Sequence, residues 1–78
     1  MTEIRMPEMG EGVTVATVTE WLVAKGEAFE TGAVLVEVMT DKAAFEVQAE
    51  ESGRLTEILV GPETEVRIGA VLGHYEKG

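Results

Sequence analysis

The 78-residue chain has no cysteine, so no disulfide braces it and thiols say nothing about its redox compartment. With a single histidine, His74, there is no Cys/His cluster for a structural metal. No Ser, Cys or Asp is placed beside His74 in the sequence to form a catalytic relay, so it reads as a surface or edge residue. Basic residues are scarce: six against fifteen acids, a net charge of −9. Such a surface repels nucleic acid and anionic membrane, favours solubility and suits partners with basic patches. No apolar run comes near the roughly 20 residues that span a bilayer. Met1-Thr2-Glu3 does not open a signal peptide, since no basic region leads into an apolar one. The expectation is an intracellular protein, or a piece of one.

Apolar residues make up 45% of the chain and must supply the core alone. A single domain spanning residues 1–78 is expected, burying only about 60% of its unfolded surface. Ile4-Arg5-Met6-Pro7 reads as a short strand stopped by proline. Glu8-Met9-Gly10-Glu11-Gly12 reads as an exposed loop, without the Gly-x-Gly-x-x-Gly spacing of a phosphate site. Val13 to Val23 is rich in Val, Thr and Trp, which suits a strand; its imperfect alternation predicts a bulge or burial on both sides. Trp21 reads as core or as a wall at the core's edge. Turns are expected at Lys25-Gly26-Glu27, between short strands, and at Thr31-Gly32, Glu50 to Gly53 and Gly61-Pro62-Glu63, with further strands from Val34, from Arg54 to Val60 and from Val71 to Tyr75. No segment reads as a helix. Short segments divided by frequent turns predict an all-β sandwich or barrel.

The chain also repeats itself. Shifted by 37 residues, Thr19-Glu20 falls on Thr56-Glu57, Leu22-Val23 on Leu59-Val60, and Gly32-Ala33-Val34-Leu35 on Gly69-Ala70-Val71-Leu72. These are eight identities in the nineteen positions from Thr17 to Leu35, where chance gives about one. Two half-domains that cannot each bury an apolar face alone can cover one another as a pseudo-twofold pair of antiparallel sheets. The same shift relates Lys42 to Arg5 on one side and to a position just past Gly78 on the other. It therefore predicts the Lys42 turn at one end and both termini at the opposite end. Lys25-Gly26 becomes Pro62-Glu63, which predicts a second turn of different shape.

Val34 to Met39 and Phe45 to Ala49 both read as strands, and Thr40-Asp41-Lys42-Ala43 between them leaves room only for a tight turn. A hairpin with Lys42 at its tip follows, presenting a long stem and three donors to solvent. Glu37-Val38-Met39-Thr40-Asp41-Lys42-Ala43, together with Met6-Pro7-Glu8-Met9-Gly10-Glu11-Gly12-Val13 and the repeat, resembles the lipoyl domain of the acyltransferase component of 2-oxo acid dehydrogenase complexes. The resemblance covers essentially the whole chain. It implies the biotinyl/lipoyl carrier fold, a flattened barrel-sandwich of two four-stranded antiparallel sheets. It also implies lipoate in amide linkage on Lys42, with Asp41 and Ala43 setting the turn for ligase recognition. Gly10, Glu11 and Gly12 would form a loop beside that turn that helps the decarboxylase recognise the domain. The chain departs from the family in having Val15-Ala16 where an acidic residue and then Gly or Ala often follow this loop. Lys25 and Lys77 lack the Asp-Lys-Ala setting.

Autonomous catalysis is not expected: the acids fall in solvated patterns and the chain is too short for a sizeable pocket. An ordinary lysine amine is protonated at neutral pH and a poor nucleophile, so a lipoate ligase or lipoyl transferase must supply an activated lipoyl group. The resemblance further implies reductive acylation by a thiamine-dependent 2-oxo acid decarboxylase. Transfer to coenzyme A at an acyltransferase domain of the same parent chain follows, then reoxidation by dihydrolipoamide dehydrogenase. The gain is effective concentration on a tethered arm. Val38 to Ala43 is a little more like branched-chain complexes than pyruvate ones. The expected setting is the cytoplasm in a bacterium or archaeon and the mitochondrial matrix in a eukaryote, as a fragment of a longer acyltransferase component. Rival readings are a biotin carrier, which commonly has Met on both sides of its lysine where this chain has Asp41 and Ala43, and an unmodified barrel-sandwich interaction module.

If Lys42 is an exposed turn residue, Lys42→Ala changes stability by less than about 0.5 kcal/mol. A melting temperature clearly below that of the original chain would count against the turn assignment.

Overall fold

The computed structural model describes residues 1–78 apart from Met9 and Glu11. Eight strands follow in order: β1 (Thr2–Arg5), β2 (Val15–Trp21), β3 (Ala28–Phe29), β4 (Val34–Met39), β5 (Ala44–Gln48), β6 (Gly53–Ile58), β7 (Thr64–Arg67) and β8 (Val71–Lys77). They form two four-stranded antiparallel sheets, ordered β1-β8-β6-β3 and β5-β4-β2-β7. Alternation drives the layering. Ala16, Val18, Val36, Val38 and Val47 point inward from one sheet and Ile4, Leu55, Leu72 and Tyr75 from the other, all buried in a common core. No charged residue among those described is buried.

The 37-residue repeat holds throughout. Residues of β2, β3 and β4 map onto β6, β7 and β8, and β5 takes the place that β1 holds in the other sheet. Two irregularities recur at related positions. The register slips between Val18 and Glu20 of β2, and again between Leu55 and Glu57 of β6. It also slips past Leu35 where β4 meets β5 and past Leu72 where β8 meets β1. Each slip is a bulge that bends the strand, and the second pair aims both leucines into the core. The bulge expected in the Val13–Val23 segment is thus the one at Thr19. Arg5, which the numerical shift set against Lys42, instead pairs with Val71 as Gln48 pairs with Val34. Arg5 is therefore the counterpart of Gln48.

The halves are interlocked rather than merely stacked. The strand β3 of the first half joins β6 of the second, and β7 of the second half joins β2 of the first. A short strand after the Lys25-Gly26-Glu27 turn was expected and is β3; β7 was not, because four residues without a clear apolar alternation carry little signal. The turns before them also match: Gly26 N–H donates to Leu55 O, and Glu63 N–H donates to Val18 O, both at 2.7 Å. Gly26 has φ 90° and Glu63 φ 65°. The second turn therefore keeps the shape of the first, contrary to the expectation from Pro62-Glu63. The cross-half hydrogen bond holds Glu63 in a left-handed conformation that is disfavoured for a residue with a Cβ.

Strand direction sets the ends of the molecule. Ile68 N–H donates to Thr14 O and Gly69 N–H to Met6 O, so β8 starts at the end where β2 begins. It runs away from that end past Tyr75, which pairs with Thr2 of β1, to Lys77, which pairs with Gly53 of β6. Gly78 N–H closes onto Ser52 O at 3.1 Å. Met39, where β4 finishes, lies opposite Thr17 near the start of β2. The termini thus lie together at one end and the β4–β5 connection at the other, along a body 34 Å in its longest extent.

Two contacts finish the core. Half-buried Trp21 donates its indole N–H to Val60 O at 2.7 Å and lies over Gly73, where a Cβ would come 3.2 Å from its ring and 2.5 Å from Glu57 O. It is therefore a wall between the sheets. Tyr75 meets Phe29 edge to face, with ring centroids 5.6 Å apart, and donates its hydroxyl to Glu51 Oε2 at 2.5 Å. That hydrogen bond to a carboxylate, helped by burial, pushes the Tyr75 phenol up to about 12 from 10.0.

Glu63→Gly relieves the left-handed strain and is expected to raise stability by about 0.5–1 kcal/mol, whereas Glu63→Val lowers it; thermal melts compare the two. The tyrosine gives a pH dependence. Above pH 10 the unfolded chain loses the phenolic proton while the folded chain keeps it, so stability falls as pH rises from 10 to about 12. In Tyr75→Phe this part of the alkaline loss disappears, measurable by denaturant melts across that range.

Candidate functional site

The turn joining β4 to β5 is built by Thr40. Its N–H donates to Ala43 O at 2.9 Å, and its hydroxyl accepts from the N–H groups of Lys42 and Ala43, both at 3.2 Å. The hydroxyl in turn lies 3.1 Å from Ala43 O, to which it donates. Among the described non-glycine residues only Glu63 has positive φ, so Asp41 and Lys42 turn the chain with ordinary negative φ. Two-residue hairpins prefer primed turns, which need positive φ. A turn without it leaves its closing donors poorly aimed, and the Thr40 hydroxyl takes them up. Sequence reasoning gave the turn to Asp41 and Ala43 and missed Thr40. The signal that could have found it is a threonine one residue before a tight turn, where a hydroxyl competes for backbone donors.

Asp41, Lys42 and Ala43 are all exposed. Among the described residues the Lys42 amine enters no ion pair, since the bridges present are Arg5–Glu3, His74–Glu57 and Lys77–Glu51. The stem of Lys42 thus leaves a hydrogen-bonded base with its amine held by no neighbouring carboxylate. This suits covalent attachment of an acyl group: the amine is accessible and its loss of charge on amide formation breaks no contact.

Of the loop read as a recognition element, Gly10 and Gly12 are exposed with φ 130° and 83°, and Val13 N–H donates to Gly10 O at 3.3 Å. Glu11 lies outside the described residues. Gly12, Val13 and Thr14 share a cleft of about 320 Å³ with Thr40, Asp41 and Glu65, so the loop's end and the Lys42 turn are neighbours. A larger cavity of about 520 Å³ opens between β1 and β5, lined by Ile4, Phe29, Val47 and Tyr75 among others. It includes no residue of the turn.

His74 sits in β8, a central strand, rather than at a sheet edge, and its Nδ1 lies 3.0 Å from Glu57 Oε1 across to β6. Among the described residues no group of three His, Cys, Asp or Glu is placed to hold a metal ion, and no helix is long and apolar enough to cross a membrane.

Thr40→Val removes the side-chain acceptor and is expected to cost about 1 kcal/mol and to speed amide exchange at Ala43. Thr40→Ser should restore both; a valine variant as stable and as protected as the original would assign the turn to other contacts.

Comparison with known proteins agrees with this architecture. The biotin–lipoyl family model, described as "Biotin-requiring enzyme", matches residues 2–74. The dihydrolipoyllysine-residue succinyltransferase component of the 2-oxoglutarate dehydrogenase complex of Bacillus subtilis is 38% identical over 78 residues, covering 100% of this chain and 19% of that protein. The corresponding component of Bartonella vinsonii is 44% identical over 77 residues, 99% of this chain and 19% of that protein. The acetyltransferase component of the pyruvate dehydrogenase complex of Corynebacterium glutamicum is 42% identical over 71 residues, 91% of this chain and 10% of that protein. The chain thus spans a fifth or less of the length of these relatives. The solution structure of the lipoyl domain of the 2-oxoglutarate dehydrogenase complex from Azotobacter vinelandii superposes with a TM-score of 0.80 at 32% identity, covering 100% of this chain and 99% of that one. By fold, repeat and relatives, the chain belongs to the biotin–lipoyl family, as a lipoyl domain of the kind found in the acyltransferase components of 2-oxo acid dehydrogenase complexes.

Proposed function

We propose that this domain is a swinging-arm carrier whose Lys42 holds lipoate in amide linkage. The observation that carries the reading is the Lys42 amine, exposed and unpaired among the described residues, on a turn that Thr40 pins through its hydroxyl. A ligase supplies the activated lipoyl group. The neutral Lys42 amine attacks its carbonyl carbon, the C–N bond forms, the activating group leaves with the electron pair, and the amine proton passes to solvent. The lipoyl group, when bound, supplies acyl-carrying and redox chemistry through its dithiolane.

The chain's own residues contribute position. Thr40 holds the turn, β4 and β5 hold Thr40, and the termini leave from the opposite end, so a tether and an arm do not compete for space. As partners we propose a thiamine-dependent 2-oxo acid decarboxylase, the acyltransferase domain of the same parent chain and dihydrolipoamide dehydrogenase. The domain is a carrier for these enzymes and not itself the catalyst. The setting we propose for it is the cytoplasm in a bacterium or archaeon and the mitochondrial matrix in a eukaryote.

Intact mass after incubation with a lipoate ligase, lipoate and ATP tests this. One lipoyl group is expected on the original chain and none on Lys42→Ala. No addition under conditions that modify an established carrier would reject the reading, and a biotin ligase giving one biotinyl group on Lys42 instead would make the domain a biotin carrier.

A further inference from the structure

The internal symmetry provides a comparison within one molecule. Related positions share backbone geometry, so a difference between the outer faces of the sheets is not imposed by the fold. Inward, the sheets agree: Ala16, Val18, Val36 and Val38 correspond to Gly53, Leu55, Gly73 and Tyr75, and all eight are buried. Outward they part. Beside the Lys42 turn, Thr17 pairs with Met39 and Met39 with Ala44, and Val15 stands two residues along β2 on the same face. Val15 is 39% and Met39 50% exposed. The related row on the other sheet is Ala28, Arg54 and Glu76, which answer to Glu65, Thr17 and Met39, with exposed Met1 just ahead of the Thr2–Tyr75 pair at its edge. Met39 therefore answers to Glu76, and Val15 to Ser52.

Acids ring this apolar strip. Asp41 lies in the turn, Glu65 stands opposite Thr17, and the next outward row is Glu20, Glu37 and Glu46, paired strand to strand. Carboxylates directly opposite one another weaken a sheet. In the other sheet the same row is Glu57, His74 and Glu3, where His74 meets Glu57 and Arg5 meets Glu3. None of Glu20, Glu37 and Glu46 is in an ion pair among the described residues. The sheet that carries Lys42 thus keeps a row of unpaired acids next to exposed Val15 and Met39, whereas in its twin Glu57 and Glu3 have hydrogen-bond partners and the exposed apolar side chain, Met1, is met by the Thr56 hydroxyl at 3.3 Å.

We propose that this outer face, centred on Val15 and Met39, is the docking surface for the enzyme that acylates the Lys42 amine. That enzyme would present an apolar contact flanked by lysine or arginine. The proposal rests on Lys42 being the attachment point. An enzyme that forms a bond to the amine must cover the surroundings of the turn, whereas a partner that meets only the far end of a finished arm need not touch them. Basic side chains on the enzyme would relieve the repulsion along Glu20, Glu37 and Glu46 and exclude partners of the wrong charge.

The test measures initial rates of lipoylation by intact mass, with a lipoate ligase, lipoate and ATP, over a range of domain concentrations. Val15→Lys and Met39→Lys are each expected to lower kcat/KM about tenfold, chiefly through KM. Glu76→Lys, a larger change of charge at the symmetry-related position, should stay within about twofold. Met39→Thr, which keeps the charge and suits an exposed strand, should lose about threefold and serves if a lysine variant fails to melt cooperatively. Rates for Val15→Lys, Met39→Lys and Met39→Thr all within twofold of the original would overturn the docking surface while leaving the carrier reading intact. An equal loss in Glu76→Lys and Met39→Lys would overturn it too, by making overall charge the determinant. An original chain that takes up no lipoyl group would instead reject the carrier reading, and the docking surface with it.

Discussion

Two backbone hydrogen bonds of 2.7 Å, Gly26 to Leu55 and Glu63 to Val18, hold the exchange of β3 and β7 between the halves. Without that exchange each half would own a three-stranded sheet with one apolar face and a ragged edge. With it, each sheet gains a fourth strand from the other half, and the core forms between faces that neither half completes alone. The cost is visible at Glu63, which accepts a left-handed backbone to deliver its N–H to Val18. The bulges at Thr19 and Thr56 serve the same end, since they bend β2 and β6 where the exchanged strands join.

This scaffold explains why a turn of two ordinary residues can be stiff. The strands β4 and β5 enter the turn already paired at Met39 and Ala44, and Thr40 gathers the donors that main-chain geometry leaves over. Lys42 serves the turn through its backbone N–H alone, and its side chain enters no ion pair among the described residues. Its exposure is therefore not slack in the fold, since the Thr40 hydroxyl and the paired strands already fix the turn.

Much of this was legible in the residues. The repeat of Gly32-Ala33-Val34-Leu35 at Gly69-Ala70-Val71-Leu72 exposed the twofold symmetry, and Asp41-Lys42-Ala43 between two apolar runs located the turn. What stayed hidden was set by long-range partners. The strand β7 exists because β2 offers it an edge, and nothing local in residues 64 to 67 announces that. The turn at Glu63 looked unlike Gly26 because glycine is the usual residue at positive φ; a tertiary hydrogen bond overrode that local preference. Arg5 was set against Lys42 by simple subtraction, but the symmetry of the strands passes through the break between the termini, where the count of residues changes. The part played by Thr40 stayed hidden because the Asp-Lys-Ala motif that marks the turn begins one residue after it.

The strand exchange has a consequence for the order of events during synthesis. The sheet that presents Lys42 includes β7, residues 64 to 67, so its last strand is supplied some twenty residues after the turn has been made. A nascent chain halted after the β4–β5 hairpin would expose the lysine on an unfinished sheet, with the inner faces of Val18, Val36 and Val38 uncovered. An enzyme that reads the folded surface around the turn, rather than the Asp-Lys-Ala tripeptide, would therefore meet its substrate only once translation has passed Arg67. The topology itself thus sets a delay between making the lysine and completing the sheet that presents it.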